Sequence, residues 1–153
     1  WVADEVNQSN TLGLPGPDGD PAPWKPADAP TQVQLVDLLQ LIRAQDVDRP
    51  KRRLVVVLSA WDKVSKEASD PASYLDEKLP LLSQYLHNDG DSWDWRVYGI
   101  SAQGGDYDKD GSGAQLEEAE HLRNLDQASK RIGVAHGSAV HHDLTEPLAW
   151  LFV

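Results

Sequence analysis

Residues 54–63 read LVVVLSAWDK, a run of five aliphatic residues that leads directly into a short polar turn. Such a run is typical of a strand covered on both faces, as in a parallel sheet. Residues 93–103, WDWRVYGISAQ, form a second strand pattern that ends in another Ser-Ala turn before Gly104 and Gly105. A helix pattern separates the two strands, which predicts an α/β crossover unit whose strand ends emerge at the same edge of the sheet.

The two strand ends carry groups suited to reading guanine. Ligands of open α/β sheets bind beyond the carboxyl ends of the strands. Guanine presents an N1–H and an exocyclic amine side by side, so the carboxylate of Asp62 can accept both hydrogen bonds. Adenine has no donor at N1 and would leave a buried carboxylate unsatisfied. The backbone N–H of Ala102 is a suitable donor to guanine O6. Taken singly, each feature fits an ordinary loop cap or strand exit; together they predict a guanine-nucleotide site.

The order of these motifs resembles P-loop GTPases of the TRAFAC class, and among them the bacterial double-GTPase domains of predicted conflict and defence systems. Ser59-Ala60-Trp61-Asp62 stands at the position of the family's Asn/Thr-Lys-x-Asp motif, and Ser101-Ala102-Gln103 at its Ser-Ala-Lys-like motif. Residues 143–151 look like the closing segment of such domains. The resemblance implies a site for GTP or GDP, with Trp61 or Lys63 flanking the base. Its implied residues are Ser59, Trp61, Asp62, Lys63, Ser101, Ala102 and Gln103.

The phosphate half of such a site is missing from the sequence, which has no Gly-x-x-x-x-Gly-Lys-Ser/Thr. The Gly-rich stretch 13–21 is interrupted by Pro, which has no N–H to donate, and by Asp, which repels phosphate. The expected fold is therefore a Rossmann-like, three-layer α/β fragment with parallel strands and flanking helices, P-loop NTPase-like but without the P-loop half.

An upstream segment, in the same or a companion chain, is the expected source of the phosphate loop and of Mg²⁺. GTP hydrolysis is expected only when that segment is joined to this one. A chain that opens on Trp1 and contains no Met is expected to be a segment of a larger protein, and Trp1-Val2-Ala3-Asp4 reads as the tail of an earlier strand.

Composition narrows the partners. Fourteen basic and 25 acidic residues give a net charge of -11, which disfavours nucleic acid and anionic membranes. No apolar run approaches the roughly 18 residues of a membrane span. The absence of Cys excludes disulfides, zinc thiolate sites and thiol catalysis. A cytoplasmic location is implied by the resemblance.

Two regions are predicted along the chain. Residues 1–30 form an acidic, Pro/Gly-rich loop or linker, and residues 31–153 form the C-terminal part of a GTPase-like α/β domain. The domain begins with a helix from Thr31 to about Gln45, with Thr31 and Gln34 forming a capping box.

Further helices are predicted after each strand. Asp70 caps a helix with Pro71 in its first turn, and Pro80 should kink or split that helix. A later helix is predicted over 115–132, and a short helix or extended tail over 144–152.

Residues 106–117, DYDKDGSGAQLE, match the calcium-loop pattern D-x-D-x-D-G-x5-E. No helix pattern enters this loop, and Gly113 stands where paired calcium loops carry an aliphatic residue. The alternative to a calcium loop is an acidic, flexible insertion between strand and helix in a protein already rich in Asp. The candidate Ca²⁺ ligands are Asp106, Asp108, Asp110, the carbonyl of Ser112, and Glu117.

Two alternatives to nucleotide binding therefore stay open. One is a nucleotide-free protein-interaction domain on a GTPase framework, which Ala60 in place of the family's Lys and the missing phosphate loop both favour. The other is a module ordered by Ca²⁺ in the loop 106–117.

Overall fold

The computed structural model describes residues 28–45, 51–65, 70–105 and 117–152. Helices and strands alternate in its first part, as the sequence predicts. In chain order the elements are α1 (Thr31–Ala44), β1 (Arg52–Ser59), α2 (Trp61–Val64), α3 (Pro71–Lys78), α4 (Pro80–Asn88), β2 (Trp93–Ser101), α5 (Glu117–Arg123), a 3₁₀ helix (Ala128–Arg131), β3 (Gly133–His136), β4 (Ala139–His141) and α6 (Glu146–Phe152).

The strands form one mixed sheet in the order β1-β2-β3-β4. β1 and β2 are parallel, with Arg52 opposite Trp93 and Ser59 opposite Ile100. β3 runs antiparallel to β2, and β4 antiparallel to β3. The predicted α/β class with parallel strands is confirmed, and β3 and β4 add an antiparallel hairpin that the sequence reading did not anticipate.

Helices cover both faces of the sheet. Alternate side chains of β1 and β2, such as Val56 and Val97, pack with α1 to α4 in one apolar core. On the opposite face, the Arg53 guanidinium donates to the Trp150 carbonyl of α6 at 2.8 Å. The Arg96 guanidinium lies 4.8 Å from the centre of the Trp150 ring. The described part of the chain therefore has three layers, helix, sheet and helix.

The prediction that β1 is covered on both faces is only half correct. Leu58 is buried at 6 % exposure, but Val57 is 44 % exposed. The helix on that face meets β1 near its start, where Arg53 donates to the Trp150 carbonyl, and Val57 lies four residues further along the strand.

The start of α1 differs from the predicted capping box. Thr31 is the first helical residue rather than the cap, and Pro30 occupies the cap position without a side-chain hydrogen bond. Gln34 Nε2 donates instead to the Ala29 carbonyl at 2.6 Å. Because Thr31 is 3 % exposed and already helical, it has taken an inward position rather than a capping one. The predicted end of the helix is confirmed, with Gln45 as the C-cap.

The pair α3 and α4 follows its sequence signals closely. Asp70 Oδ1 accepts hydrogen bonds from the backbone N–H groups of Ala72 at 2.9 Å and Ser73 at 3.1 Å. Pro80 splits the predicted helix, and Leu79 stands between the two parts. Four leucines of this pair and its junction are buried, namely Leu75, Leu79, Leu82 and Leu86.

The helix predicted over 115–132 is wrong in its extent. α5 ends at Arg123, and the backbone N–H of Asn124 closes its last turn on Glu120 and His121. Asn and Asp side chains compete for backbone hydrogen bonds, so Asn124 and Asp126 favour a break there over a continuing helix. In the described part of the chain, no helix has both the length and the apolar character that crossing a membrane requires.

We expect Asp70→Ala to lower the free energy of unfolding by about 1 kcal/mol, because two N–H groups at the start of α3 lose their acceptor. Asp70→Asn is the matched control and should lose less, since its amide oxygen can still accept. Urea denaturation followed by circular dichroism measures both. Equal stability of the Ala variant and the unsubstituted chain would contradict the capping role.

Candidate functional site

The carboxyl edge of the parallel pair brings two predicted site residues into contact. Asp62 lies in the first turn of α2, just after β1, and Ser101 is the last residue of β2. Ser101 Oγ donates a hydrogen bond to Asp62 Oδ1 at 2.5 Å. The backbone N–H of Gly104 donates in turn to Ser101 Oγ at 2.8 Å. A chain of hydrogen bonds from backbone to hydroxyl to carboxylate therefore holds Asp62 in one orientation.

Ala60 makes the turn that places Asp62 there. Its backbone is left-handed, with φ 53° and ψ 41°, and it is the N-cap of α2. A non-glycine residue in this conformation costs roughly 1–2 kcal/mol. The turn is thus held against a local strain, which β1 on one side and the buried α2 on the other must offset.

Trp61 anchors α2 in the core. Its side chain is 8 % exposed and meets the Tyr74 ring edge-on at 5.8 Å. It also lies on Gly99 of β2, where an added Cβ would stand 2.4 Å from Trp61 Cδ2. This burial favours an anchoring role over a flank on the base, and the base contact predicted for Trp61 stays a prediction. Gly99 was missed by the sequence reading, although a glycine inside a strand is a known sign of close approach.

The other predicted residues surround the Asp62–Ser101 pair. Ala102 and Gln103 are exposed directly beyond β2, and Lys63 is exposed on α2. Ser59 ends β1, and its buried hydroxyl has no hydrogen-bond partner among the described residues. The structure therefore joins Asp62 and Ser101 directly, and it places the other predicted residues at the end of β1, on α2 and in the turn after β2.

A cavity of about 550 Å³ opens beside the pair. Asp62, Ser101 and Gly104 line it from the sheet edge. This volume lies in the ordinary range for small-molecule sites, about 300–1,000 Å³. Nitrogen-bearing side chains line its other walls. They were not predicted, because they lie later in the chain than the motifs, in elements that the sequence did not place. They are His121, Lys130, Arg131 and His142.

The calcium prediction concerns residues beyond the reach of the structure. Asp106, Asp108, Asp110 and Ser112 lie outside the described residues, as does the side chain of Glu117. Among the described residues, no group of three or more His, Asp or Glu side chains is placed to hold a metal ion. Ca²⁺ binding stays a prediction from the sequence.

The described residues form a parallel α/β pair in which an Asp after one strand accepts a hydrogen bond from a Ser at the end of the next. The family model of Double-GTPase 1 matches residues 1–151. The chain belongs to the Double-GTPase 1 family, which confirms the resemblance derived from its motifs. Searches of curated proteins and of solved structures found no match.

We expect Gly99→Ala to lower the free energy of unfolding by about 1–3 kcal/mol, because the new methyl group would displace the Trp61 ring. Gly90→Ala is the control, since its Cβ would meet only the His87 carbonyl at 3.9 Å. Thermal and urea unfolding measure both variants. If Gly99→Ala were as stable as Gly90→Ala, the tight contact with Trp61 would not be a constraint on the site.

Proposed function

We propose that this domain binds guanine nucleotides and that Asp62 reads the N1–H and N2–H groups of the base. The observation that carries the proposal is the hydrogen bond from Ser101 Oγ to Asp62 Oδ1. An ionised carboxylate has about four acceptor positions, so one bond from Ser101 leaves enough for two donors from guanine. Ser101 fixes the plane of the carboxylate before the base arrives, which reduces the ordering cost of binding.

Discrimination against adenine follows from the same geometry. Adenine offers no donor at N1. Its binding would therefore remove the hydrogen bonds between water and the Asp62 carboxylate and provide none in their place. The exposed turn at Ala102 follows Ser101 directly, and its backbone N–H is our proposed donor to guanine O6. Membership of the Double-GTPase 1 family supports GTP or GDP as the nucleotide.

The phosphate groups of a nucleotide need a phosphate-binding loop, and this sequence contains no Gly-x-x-x-x-Gly-Lys-Ser/Thr motif. We assign the phosphate loop and Mg²⁺ to an upstream segment, so that any GTP hydrolysis is an activity of the joined protein. Residues 31–153 then form the base-reading part of the domain, working in the cytoplasm.

The decisive variant is Asp62→Asn in the full-length protein. It should weaken GDP binding about 100-fold, because two hydrogen bonds to a charged acceptor are lost or weakened. It should bind xanthosine diphosphate better than the unsubstituted protein does, because the Asn amide can donate to the C2 oxygen of xanthine and accept from its N1–H. Isothermal titration calorimetry with GDP, xanthosine diphosphate and ADP measures the three affinities.

Asp91→Asn removes an exposed carboxylate away from the sheet edge and is the matched control. It should leave all three affinities unchanged. Equal GDP binding by the Asp62→Asn variant and the unsubstituted protein would sink the proposal and leave the nucleotide-free interaction domain in its place.

Ser101→Ala tests the positioning of the carboxylate separately from its charge. We expect GDP affinity to fall roughly tenfold, the value of one ordinary hydrogen bond. The preference for GDP over ADP should survive, because Asp62 is still present. Ser92→Ala, which removes a hydroxyl bonded to Asp89 in the turn before β2, is the control. A loss of base preference in Ser101→Ala would show that Ser101 itself reads the base.

A further inference from the structure

The cavity beside Asp62 and Ser101 has an uneven distribution of charge. Four nitrogen-bearing side chains line the walls away from the sheet edge and are here called the basic wall: His121, Lys130, Arg131 and His142. Among the described residues that line the cavity, Asp62 is the only acidic one. The whole chain carries a net charge of -11, so the basic wall is a local exception to its acidic character. A concave surface lined in this way attracts anions.

Arg131 lacks a partner for its charge. Its Nε is buried and has no hydrogen-bond partner in the part of the chain that the structure describes. Its Nη2 donates to the Arg123 carbonyl at 3.5 Å, which is the long limit of a hydrogen bond. Within the same described ranges, neither Arg131 nor Lys130 forms an ion pair with a carboxylate. Burying part of a charged group is costly unless other groups balance it, so a counter-charge at the terminal nitrogens of Arg131 would be stabilising.

The backbone that carries Arg131 is fixed on both sides. Gly104, in the turn after β2, has a φ of 79°, and a Cβ added there would overlap the Arg131 carbonyl oxygen. The next carbonyl, that of Ile132, accepts a hydrogen bond from His142 Nδ1 at 2.7 Å. These contacts join the 3₁₀ helix to the turn after β2 and to the residue after β4. The basic wall is therefore formed before a ligand arrives, which reduces the ordering cost of binding.

The bond from His142 also selects the nitrogen that a ligand can use. A carbonyl oxygen only accepts, so Nδ1 carries the proton in this bond, and Nε2 is the ring nitrogen left for another partner. His142 lines the cavity together with Lys130 and Arg131. The basic wall thus combines two cationic side chains with one imidazole nitrogen of defined orientation.

This combination of groups suits a phosphate group. Arg and Lys side chains form strong, charge-assisted hydrogen bonds with phosphate oxygens. A phosphate group carries a charge of about -1.5 to -2 near neutral pH, which two cationic side chains match better than they match the single charge of a carboxylate. We propose that the basic wall binds a phosphate group, with Arg131 and Lys130 supplying the charge and His142 a hydrogen-bonding nitrogen. The site needs no bound guanine and is independent of the proposed function.

Isothermal titration calorimetry of the full chain with inorganic phosphate tests the site, with chloride keeping the ionic strength constant. Arg131→Met should weaken phosphate binding about tenfold, because the charge and its donors are lost while the apolar stem is kept. Arg131→Lys should restore part of the affinity, because the charge returns without the planar guanidinium. Lys130→Ala changes an exposed position and should weaken binding about threefold, which keeps the test valid if Arg131→Met fails to fold.

Arg43→Met is the matched control. Arg43 is an exposed Arg that pairs with Asp89 near the end of α1. The Arg52 guanidinium donates to the Ile42 carbonyl at 2.6 Å, which holds that end of α1 beside the start of β1 and away from the cavity. The control removes the same charge as Arg131→Met and should leave phosphate affinity unchanged. Equal losses in the two variants would overturn the proposal, because the effect would then be one of net charge. Phosphate binding no stronger than that of chloride would also overturn it.

Two further titrations separate this site from base recognition. Asp62→Asn should strengthen phosphate binding roughly twofold, because a negative charge leaves the cavity, whereas the same variant weakens GDP binding under the proposed function. Weaker phosphate binding by Asp62→Asn would contradict the proposal, and unchanged GDP binding would contradict the proposed function alone. Phosphate titration at saturating GDP then identifies the source of the group. Displacement by GDP would assign the site to a phosphate of the nucleotide, and simultaneous binding would assign it to a free ion.

Discussion

The parallel pairing of β1 with β2 is the constraint on which the site depends. Its register sets Ser59 opposite Ile100, so both strands finish within one residue of each other. The turn at Ala60 and the end of β2 at Ser101 then meet, and a hydrogen bond between Ser101 and Asp62 becomes geometrically available. A shift of one residue in this register would reverse the faces of β2 and move Ser101 away from Asp62. The chemistry of the edge is therefore fixed by backbone pairing before any side chain contributes.

Gly99 is the small residue that allows the core to pack around this register. Trp61 can enter the core only because Gly99 offers no Cβ, and Gly99 lies opposite Leu58 in the parallel ladder. Trp61 in turn fixes the first turn of α2, which carries Asp62, the residue bonded to Ser101. The core and the candidate site are thus parts of one packing arrangement, and a fault at Gly99 should appear in both stability and binding.

The parts of the fold that the sequence predicted are those with local causes. A Pro at position 80 must break a helix, Asp70 before Pro71 is a strong cap, and aliphatic runs ending in polar turns mark parallel strands. The sequence could also predict that Asp62 and Ser101 lie at one edge of the sheet, since the strand ends of one crossover unit share an edge.

The rest of the fold depends on tertiary contacts that leave a weak local signal. Thr31 satisfies the pattern of a capping box, but burial places it inside the helix. β3 and β4 are only four and three residues long, so their pattern is too short to separate from a helix end. The nitrogen-bearing wall of the cavity comes from α5, the 3₁₀ helix and the residue after β4, where the sequence predicted one continuous helix over 115–132 and no hairpin.

Under the proposed function, the net charge of the chain affects recognition of the base and binding of the phosphates differently. A net charge of -11 opposes the approach of a polyphosphate, whereas the base of a nucleotide is neutral and is read at short range by hydrogen bonds. Lys130 and Arg131 line the cavity beside Asp62, but they are few against the acidic residues of the whole chain. Base recognition can therefore be specific here while the binding energy of the phosphates comes from elsewhere. Under the proposed function, an upstream segment would need to contribute positive charge and backbone N–H groups.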